Sequence, residues 1–315
     1  MLTRRWALTL ALGCATAGLS GPVAAQDLTI MTSLPNMAFP FFVHMQKELN
    51  AEAEAQGGIT IMESDGQGST PKQTADVEAA IIQGVDGIII SPNEVDAMAP
   101  AIQQAVDAGI PVVTIDRRVD NVPGIFAHVG ADNVKGGEAQ GTLIMEMFPD
   151  GAKVFNLQGQ PGSSPAIDRN AGVHNVLDQH PDKYPFVFEQ TAFFARDRGL
   201  SVTESGLAGM DAPPDLIVAA NDDMALGAIE AVKAAGLDIP VIGFDALPEA
   251  LASIKAGELA ASIEQFPGEQ SRTALRLLVD HLRNGKAPDS DLVLLTPVAI
   301  TESNFDQAER LGELR

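Results

Sequence analysis

The sequence predicts an α/β protein of two similar lobes, each a doubly wound parallel sheet covered by helices, with a cleft between them. Three observations carry that prediction. Short apolar runs alternate with longer amphipathic ones, residues 86–116 echo residues 215–245, and polar residues gather where the apolar runs end. Continuous apolar runs suit strands buried on both faces, and their alternation with helical stretches marks parallel βαβ units.

Residues 28–34, LTIMTSL, read as a strand, and residues 40–57 as a helix ending at Gly57-Gly58. ITIMESD (59–65) is a strand again. TPKQTADVEAAIIQG (70–84) is a helix with Thr70 as its expected N-cap and Pro71 in the first turn. Residues 85–92, 96–109 and 111–116 follow as strand, helix and strand. The rhythm then repeats over AKVFNLQG (152–159), 164–180, FVFEQTAF (186–193), 195–209, DLIVAAND (215–222), 224–236 and IPVIGFD (239–245).

The echo aligns DGIIISPNEVDAMAPAIQQAVDAGIPVVTID with DLIVAANDDMALGAIEAVKAAGLDIPVIGFD. Each stretch starts and ends on Asp and carries Ile-Pro-Val at the same offset, which makes Asp116 and Asp245 equivalents. Open parallel sheets bind ligands beyond the C-terminal ends of their strands. Here those ends hold Ser33, Asp116-Arg117, Gln158, Asn221-Asp222 and Phe244-Asp245.

The N-terminus is not part of this pattern. Residues 1–25 have a basic start at Arg4-Arg5, an apolar middle and a small-residue exit at Val23-Ala24-Ala25, the anatomy of a secretory signal cleaved after Ala25. ALGC at Cys14 offers a lipoprotein site as a second reading. Cys14 is the only cysteine, so the expected mature chain has no disulfide, thiolate or cysteine–metal chemistry. Loss of Arg4 and Arg5, with no acid before Asp27, takes the net charge from −22 to −24. So acidic a chain lacks the basic face that nucleic acid requires, and anionic ligands are disfavoured at long range.

The strand ends offer little covalent chemistry. No Gly-x-x-x-x-Gly-Lys loop is present, GQPGSS (159–164) lacks a lysine, and the five histidines show no metal spacing. His128, the one histidine near a strand end, reads as a packed or hydrogen-bonded core residue. What remains is acids, arginines, amides and phenylalanines. Aspartate only accepts, arginine only donates, and the amides do both, which suits a polyhydroxyl ligand whose C–H faces pack on aromatic rings. Two acids against two arginines leave the pocket near neutral, so the expected ligand is an uncharged sugar or polyol.

At this point the mature chain resembles the periplasmic sugar-binding proteins of the ribose-binding type, which feed ATP-driven importers. The resemblance runs nearly end to end through PFF (40–42), IPVVTIDR (110–117), ADNVKGG (131–137), LQG and DRNAG (157–172), ANDDMALGA (220–228), VIGFD (241–245) and GELAASIEQFP (257–267). It implies a periplasmic location, two lobes joined by a three-crossover hinge, no cofactor and no enzymatic step. The crossovers are expected near Ala131-Asp132, Glu264-Gln265 and Val298-Ala299. They divide the chain into residues 26–131 plus 266–298 and residues 132–265 plus 299–315.

The resemblance also assigns roles. Asp116 and Arg117 grip hydroxyls from the first lobe, and Arg169, Asn221, Asp245 and Gln265 from the second lobe and hinge. Phe42, Phe194 and Phe244 sandwich the ligand, Phe41 supports them, and Ser33 sits at the first strand end. Arg196 reads as a salt bridge, and Arg118 and Asp120 as surface. The departure is Phe39, which stands where ribose binders carry an asparagine before Pro-Phe-Phe, so another pentose, a polyol or another furanose is as well placed as ribose. Whether Phe39 or Asn36 lines the pocket is open.

The implied partners are an ABC-type permease in the inner membrane and a small sugar or polyol, with the protein a monomer; a chemoreceptor or sensor kinase is the alternative partner. A repressor effector domain would need a helix-turn-helix where the signal stands. A secreted sugar-processing enzyme would use Asp116 and Asp245 as acid and base, but neighbouring arginines are expected to hold both ionised.

Overall fold

The computed structural model describes residues 27–314, so the predicted signal segment lies outside the described residues. The first lobe opens with β1 (Leu28–Leu34), α1 (Pro40–Gln56), β2 (Ile59–Asp65), α2 (Thr70–Gln83), β3 (Gly87–Ile90), α3 (Ala99–Asp107), β4 (Val112–Ile115) and β5 (Ala127–Ala131). The second holds α4 (Asn133–Met147), β6 (Val154–Gln158), α5 (Ser164–Leu177), β7 (Phe186–Thr191), α6 (Arg196–Ala208) and β8 (Leu216–Ala219). It continues through α7 (Asp222–Ala234), β9 (Val241–Phe244), α8 (Pro248–Lys255) and β10 (Ala261–Glu264). The chain then returns through α9 (Pro267–Asn284) and β11 (Leu292–Leu295) before β12 (Val298–Ile300) and two short 3₁₀ helices.

The strands form two six-stranded sheets of matching order, β11-β5-β4-β3-β1-β2 and β12-β10-β9-β8-β6-β7. All pairs are parallel except β10 with β12. The echo is structural as well as textual. Ile88 faces Val112 between β3 and β4, and Ile217 faces Val241 between β8 and β9. Asp86 and Asp215 each start their repeat by accepting a backbone N–H of the neighbouring strand at 2.7 Å, from Thr29 and Lys153. The four strands of the repeats are buried along their whole length, as continuous apolar runs require.

Helix boundaries follow local chemistry. Ser69, not Thr70, caps α2 by accepting from Lys72 N at 3.3 Å, and the Thr70 hydroxyl instead accepts from Asn93 Nδ2 at 3.0 Å. Gly57 ends α1 at φ 66°, a backbone region that favours glycine. Helices α4 and α5 pack backbone to backbone: a Cβ on Gly137 would strike Arg169 O, and one on Gly172 would strike Val134 O. That contact fixes where α5 presents Arg169.

The chain crosses between the sheets three times, at Asp132, at Gln265-Phe266 and at Thr296-Pro297. The third crossing precedes the expected Val298-Ala299, because Val298 already pairs with Glu264 in the second sheet. Helix α9 packs on α1, β3, β4 and β5 of the first lobe. The C-terminal residues are not confined to the second lobe. Glu309 accepts Gly268 N and Glu269 N at 2.9 Å each at the start of α9 and pairs with Arg272 at 2.9 Å. Glu309 N in turn donates to Glu264 at 2.9 Å, tying the tail to the hinge.

Candidate functional site

The equivalent aspartates sit one residue beyond β4 and β9. Asp116 N donates to Val129 O at 2.9 Å and Asp245 N to Ile263 O at 2.7 Å, so each extends its sheet by one bond before turning. Both then adopt positive φ, 60° and 111°, and Phe194 does so at 62°. Such backbone costs a non-glycine residue of order 1–3 kcal/mol and persists where the surroundings over-determine it. Three strained residues thus converge on one cavity between the lobes.

From the first lobe, Asp116 accepts from Ser91 Oγ at 3.3 Å, and Arg117 Nε lies 3.9 Å from its carboxylate. Arg117 Nη1 donates to Asn93 O at 3.0 Å and Gln160 Oε1 at 3.3 Å, while its buried Nε has no partner among the described residues. The guanidinium lies between two rings, 5.4 Å from the Phe42 centroid and 5.8 Å from that of Phe194. Phe41 meets Phe42 edge-on at 5.2 Å.

From the second lobe, Arg169 Nε donates to Asn133 Oδ1 at 2.8 Å and Nη1 to Ala220 O at 2.7 Å, with Asp245 Oδ1 at 3.4 Å. Asp245 Oδ1 also accepts from Gln265 Nε2 at 2.6 Å, and Gln265 Oε1 is buried without a partner among the described residues. Asn221 serves twice: its Oδ1 caps α7 through Met224 N at 3.0 Å, and its Nδ2 donates to Phe194 O at 3.1 Å.

Of the residues singled out in the sequence, Phe39, Phe41, Phe42, Asp116 and Arg117 line this cavity from one side. Arg169, Phe194, Asn221, Asp245 and Gln265 line it from the other. Asn36 turns instead to its own loop, accepting from Ala38 N at 2.9 Å. Two residues stand behind the wall. Ser33 accepts from Gln73 Nε2 at 3.1 Å, and that nitrogen also donates to Ser91 O at 2.8 Å, so Ser33 supports the network behind Asp116. Phe244 is fully buried beneath Arg169, whose guanidinium lies 3.6 Å over its ring. Gln158 bonds Asn170 and Glu189 at 3.3 Å each, outside the wall. The sequence reading missed Pro165 and Asp223, which complete the lining.

Burial overrides the arginines in setting protonation. It raises the Asp116 carboxyl above the ordinary range against the pull of Arg117 and Arg169. It pushes Asp245 up to about 7 despite Arg169, with Asp116 adding to the rise. Burial also draws Arg117 down to about 10 and lowers Arg169. The expectation that neighbouring arginines hold the acids ionised is corrected at Asp245, where desolvation outweighs Arg169; at Asp116 burial acts in the same direction.

The lobes meet around the cavity mouth. Val95 N donates to Gly162 O at 2.9 Å, and Gln160 Nε2 reaches Asn93 O and Oδ1 at 3.2 Å each. Arg118 is not mere surface. Its backbone N donates to Ser164 Oγ at 2.9 Å and its guanidinium pairs with Asp168 on α5, across the cleft. Arg196 forms a bidentate pair with Glu249 at 2.8 and 2.6 Å.

Nucleophile geometry is lacking around the cavity. Ser163 Oγ donates to Gln160 O at 2.8 Å, and Ser164 Oγ is taken by Arg118. His128 bonds Thr114 at 2.9 Å and is drawn down to about 4 by burial. Among the described residues, no group of three His, Asp or Glu side chains is placed to hold a metal ion. The arrangement is one of fixed donors, acceptors and ring faces, suited to gripping a molecule without altering it.

Comparison with known proteins agrees with that chemistry. The ribose import binding protein RbsB of Bacillus subtilis is 41% identical over 263 residues, covering 83% of this chain and 84% of that protein. The xylitol-binding protein of Mycolicibacterium smegmatis is 28% identical over 299 residues, covering 94% and 84%. The crystal structure of a Caulobacter myo-inositol binding protein bound to myo-inositol superposes with a TM-score of 0.88 at 44% identity, covering 93% of this chain and all of that one. These are binding proteins, not enzymes. The profile of a periplasmic binding protein domain matches residues 30–287, and the chain belongs to that family.

Proposed function

We propose that this is an exported solute-binding protein that closes its lobes on a cyclic polyol of the myo-inositol type. The closed form then delivers its cargo to an ABC-type permease. Cleavage after Ala25 releases the chain to the periplasm, where it works as a monomer. The observation that carries this reading is the cavity wall itself. Carboxylates, guanidiniums and amides share it, and Phe42 and Phe194 offer ring faces. Each hydroxyl of a polyol both donates and accepts, so it satisfies such a wall, and its C–H faces pack on the rings. The likeness to a protein solved with myo-inositol supports the class.

Ribose is the second reading, favoured by the relationship to RbsB. Against it stands Phe39, a ring in the cavity wall at the position where ribose binders carry an amide. A wall built to bond a hydroxyl rejects a ligand that cannot meet it by large factors, so this one exchange bears on ligand choice.

A thermal-shift series on the mature protein with myo-inositol, ribose and xylitol tests the reading. Ligand at about 100 times its Kd stabilises by about 2.7 kcal/mol. The expected result is the largest shift with myo-inositol. No shift with any sugar or polyol overturns the proposal. A role as ligand carrier for a chemoreceptor or sensor kinase uses the same cavity and closure, and differs only in the partner of the closed form.

A further inference from the structure

Asp223 is the one carboxylate of the cavity wall whose oxygens no hydrogen bond reaches among the described residues. It stands in the first turn of α7 and is 7% exposed. Its ion-pair partner, Arg196, is 3.8 Å away and already gives two nitrogens to Glu249. The other charged groups of the wall are engaged. Asp245 takes Gln265 and Arg169, Asp116 takes Ser91, and Arg117 and Arg169 donate to backbone carbonyls. The wall therefore sets three carboxylates against two guanidiniums.

At the α7 edge Arg196 draws the Asp223 carboxyl down and Glu249 pushes it up, while the charge of Asp223 itself raises Asp245. Burial raises the Asp223 carboxyl to about 6, which leaves it ionised at neutral pH. A carboxylate only accepts. A group that only donates, above all a positively charged one, meets it better than a hydroxyl does, and an anionic group is repelled.

We propose that Asp223 is a specificity-determining residue, accepting a donor from the α7 edge of the ligand and admitting there a polyol that carries a protonated amine. This rests on the polyol reading of the cavity and extends it to a cationic class of solute. The guanidinium side of the cavity keeps the hydroxyl-bearing edge, and the amine takes the α7 side. Phosphorylated polyols are excluded by the same carboxylate.

Isothermal titration separates the two claims. The parent is whichever of myo-inositol and ribose binds the wild-type protein, and it is compared with its amino-deoxy derivative and its phosphate monoester. The expected result is that the amine binds at least as tightly as the parent and the phosphate does not bind. In Asp223→Asn the ratio of amine to parent affinity falls about tenfold or more, as loss of a charge-assisted bond requires. Asp223→Ser provides the same comparison if the amide variant does not fold. If the parent binds and the ratio is the same in wild type and variant, the role of Asp223 is overturned while the polyol reading stands. If no parent binds, both fall together.

Discussion

Asp116 and Asp245 are the same residue in two halves of one molecule. Each follows a buried strand, donates one last sheet bond, turns into positive φ and offers its carboxylate to the shared cavity. Each also lies near a guanidinium of its own lobe, Arg117 at 3.9 Å and Arg169 at 3.4 Å.

The pair gives the first prediction. Asp116→Ala should abolish ligand-induced stabilisation while leaving the unliganded protein folded, since it removes a buried acceptor and no core volume. Asp116→Gly should lose the ligand response as well, yet unfold about 0.5–1 kcal/mol later than Asp116→Ala, because glycine tolerates φ 60°. Thermal unfolding with and without ligand reads both effects, and a surviving ligand response in either variant would place the site elsewhere.

Arg118 and Asp168 do not line the cavity but bridge the lobes beside it. The pair is partly exposed, at 34% and 19%, which limits its worth to about 0.5–1 kcal/mol. Arg118→Ala should therefore weaken ligand binding two- to five-fold, through faster release and not slower capture. Stopped-flow dissociation on both single variants and the double should show that the two losses do not add; additive losses would mean the bridge does not act as a pair.

Glu264 sits at the hinge, fully buried, and accepts three backbone N–H groups, from Gln265, Phe266 and Glu309, at 2.7 to 2.9 Å. Burial nevertheless pushes its carboxyl from 4.5 up to about 7. The folded state thus holds a proton that the unfolded state releases. The contribution is complete below about pH 4.5 and is lost as pH rises to about 7, at most about 3 kcal/mol. Denaturant unfolding from pH 4.5 to 8 should show the wild type losing stability relative to Glu264→Gln across that window. Parallel curves would mean that the carboxylate titrates alike in both states.

Phe39→Asn restores an amide to the cavity wall. The ratio of ribose to myo-inositol affinity should shift toward ribose by about tenfold or more, since a wall group that bonds a hydroxyl discriminates strongly. Titration with both ligands measures it, and an unchanged ratio would make Phe39 a packing residue only.

Much of this architecture is legible in the sequence because the repeats announce themselves. The four buried strands of the echo are apolar save for Thr114, and their register repeats in space as it does in the text. Helix α4 is harder to read. Its Gly136, Gly137 and Gly141 are poor helix formers, and the structure needs the bare Gly137 for contact with α5. Asp223 reads as one more acid in a helix first turn, and only the folded chain shows it facing a cavity. Arg118 finds Asp168 fifty residues downstream, a distance no local pattern bridges. Phe244 ends β9 buried beneath Arg169, while Asp245, past the strand end at φ 111°, turns into the cavity, a difference set by backbone that only the folded chain shows.

The first sheet is not complete until late in the chain. Strands β1 to β5 come early, but α9, which packs on β3, β4 and β5, and β11, which closes the sheet edge, follow strands β6 to β10 of the second lobe. A ribosome making this polypeptide therefore releases an N-terminal segment that lacks its covering helix until residue 284 and its edge strand until residue 295 has emerged. Contacts so distant in sequence form slowly, because a long loop must close before they contribute. The interleaved order of the segments thus ties completion of the first lobe to synthesis of the second.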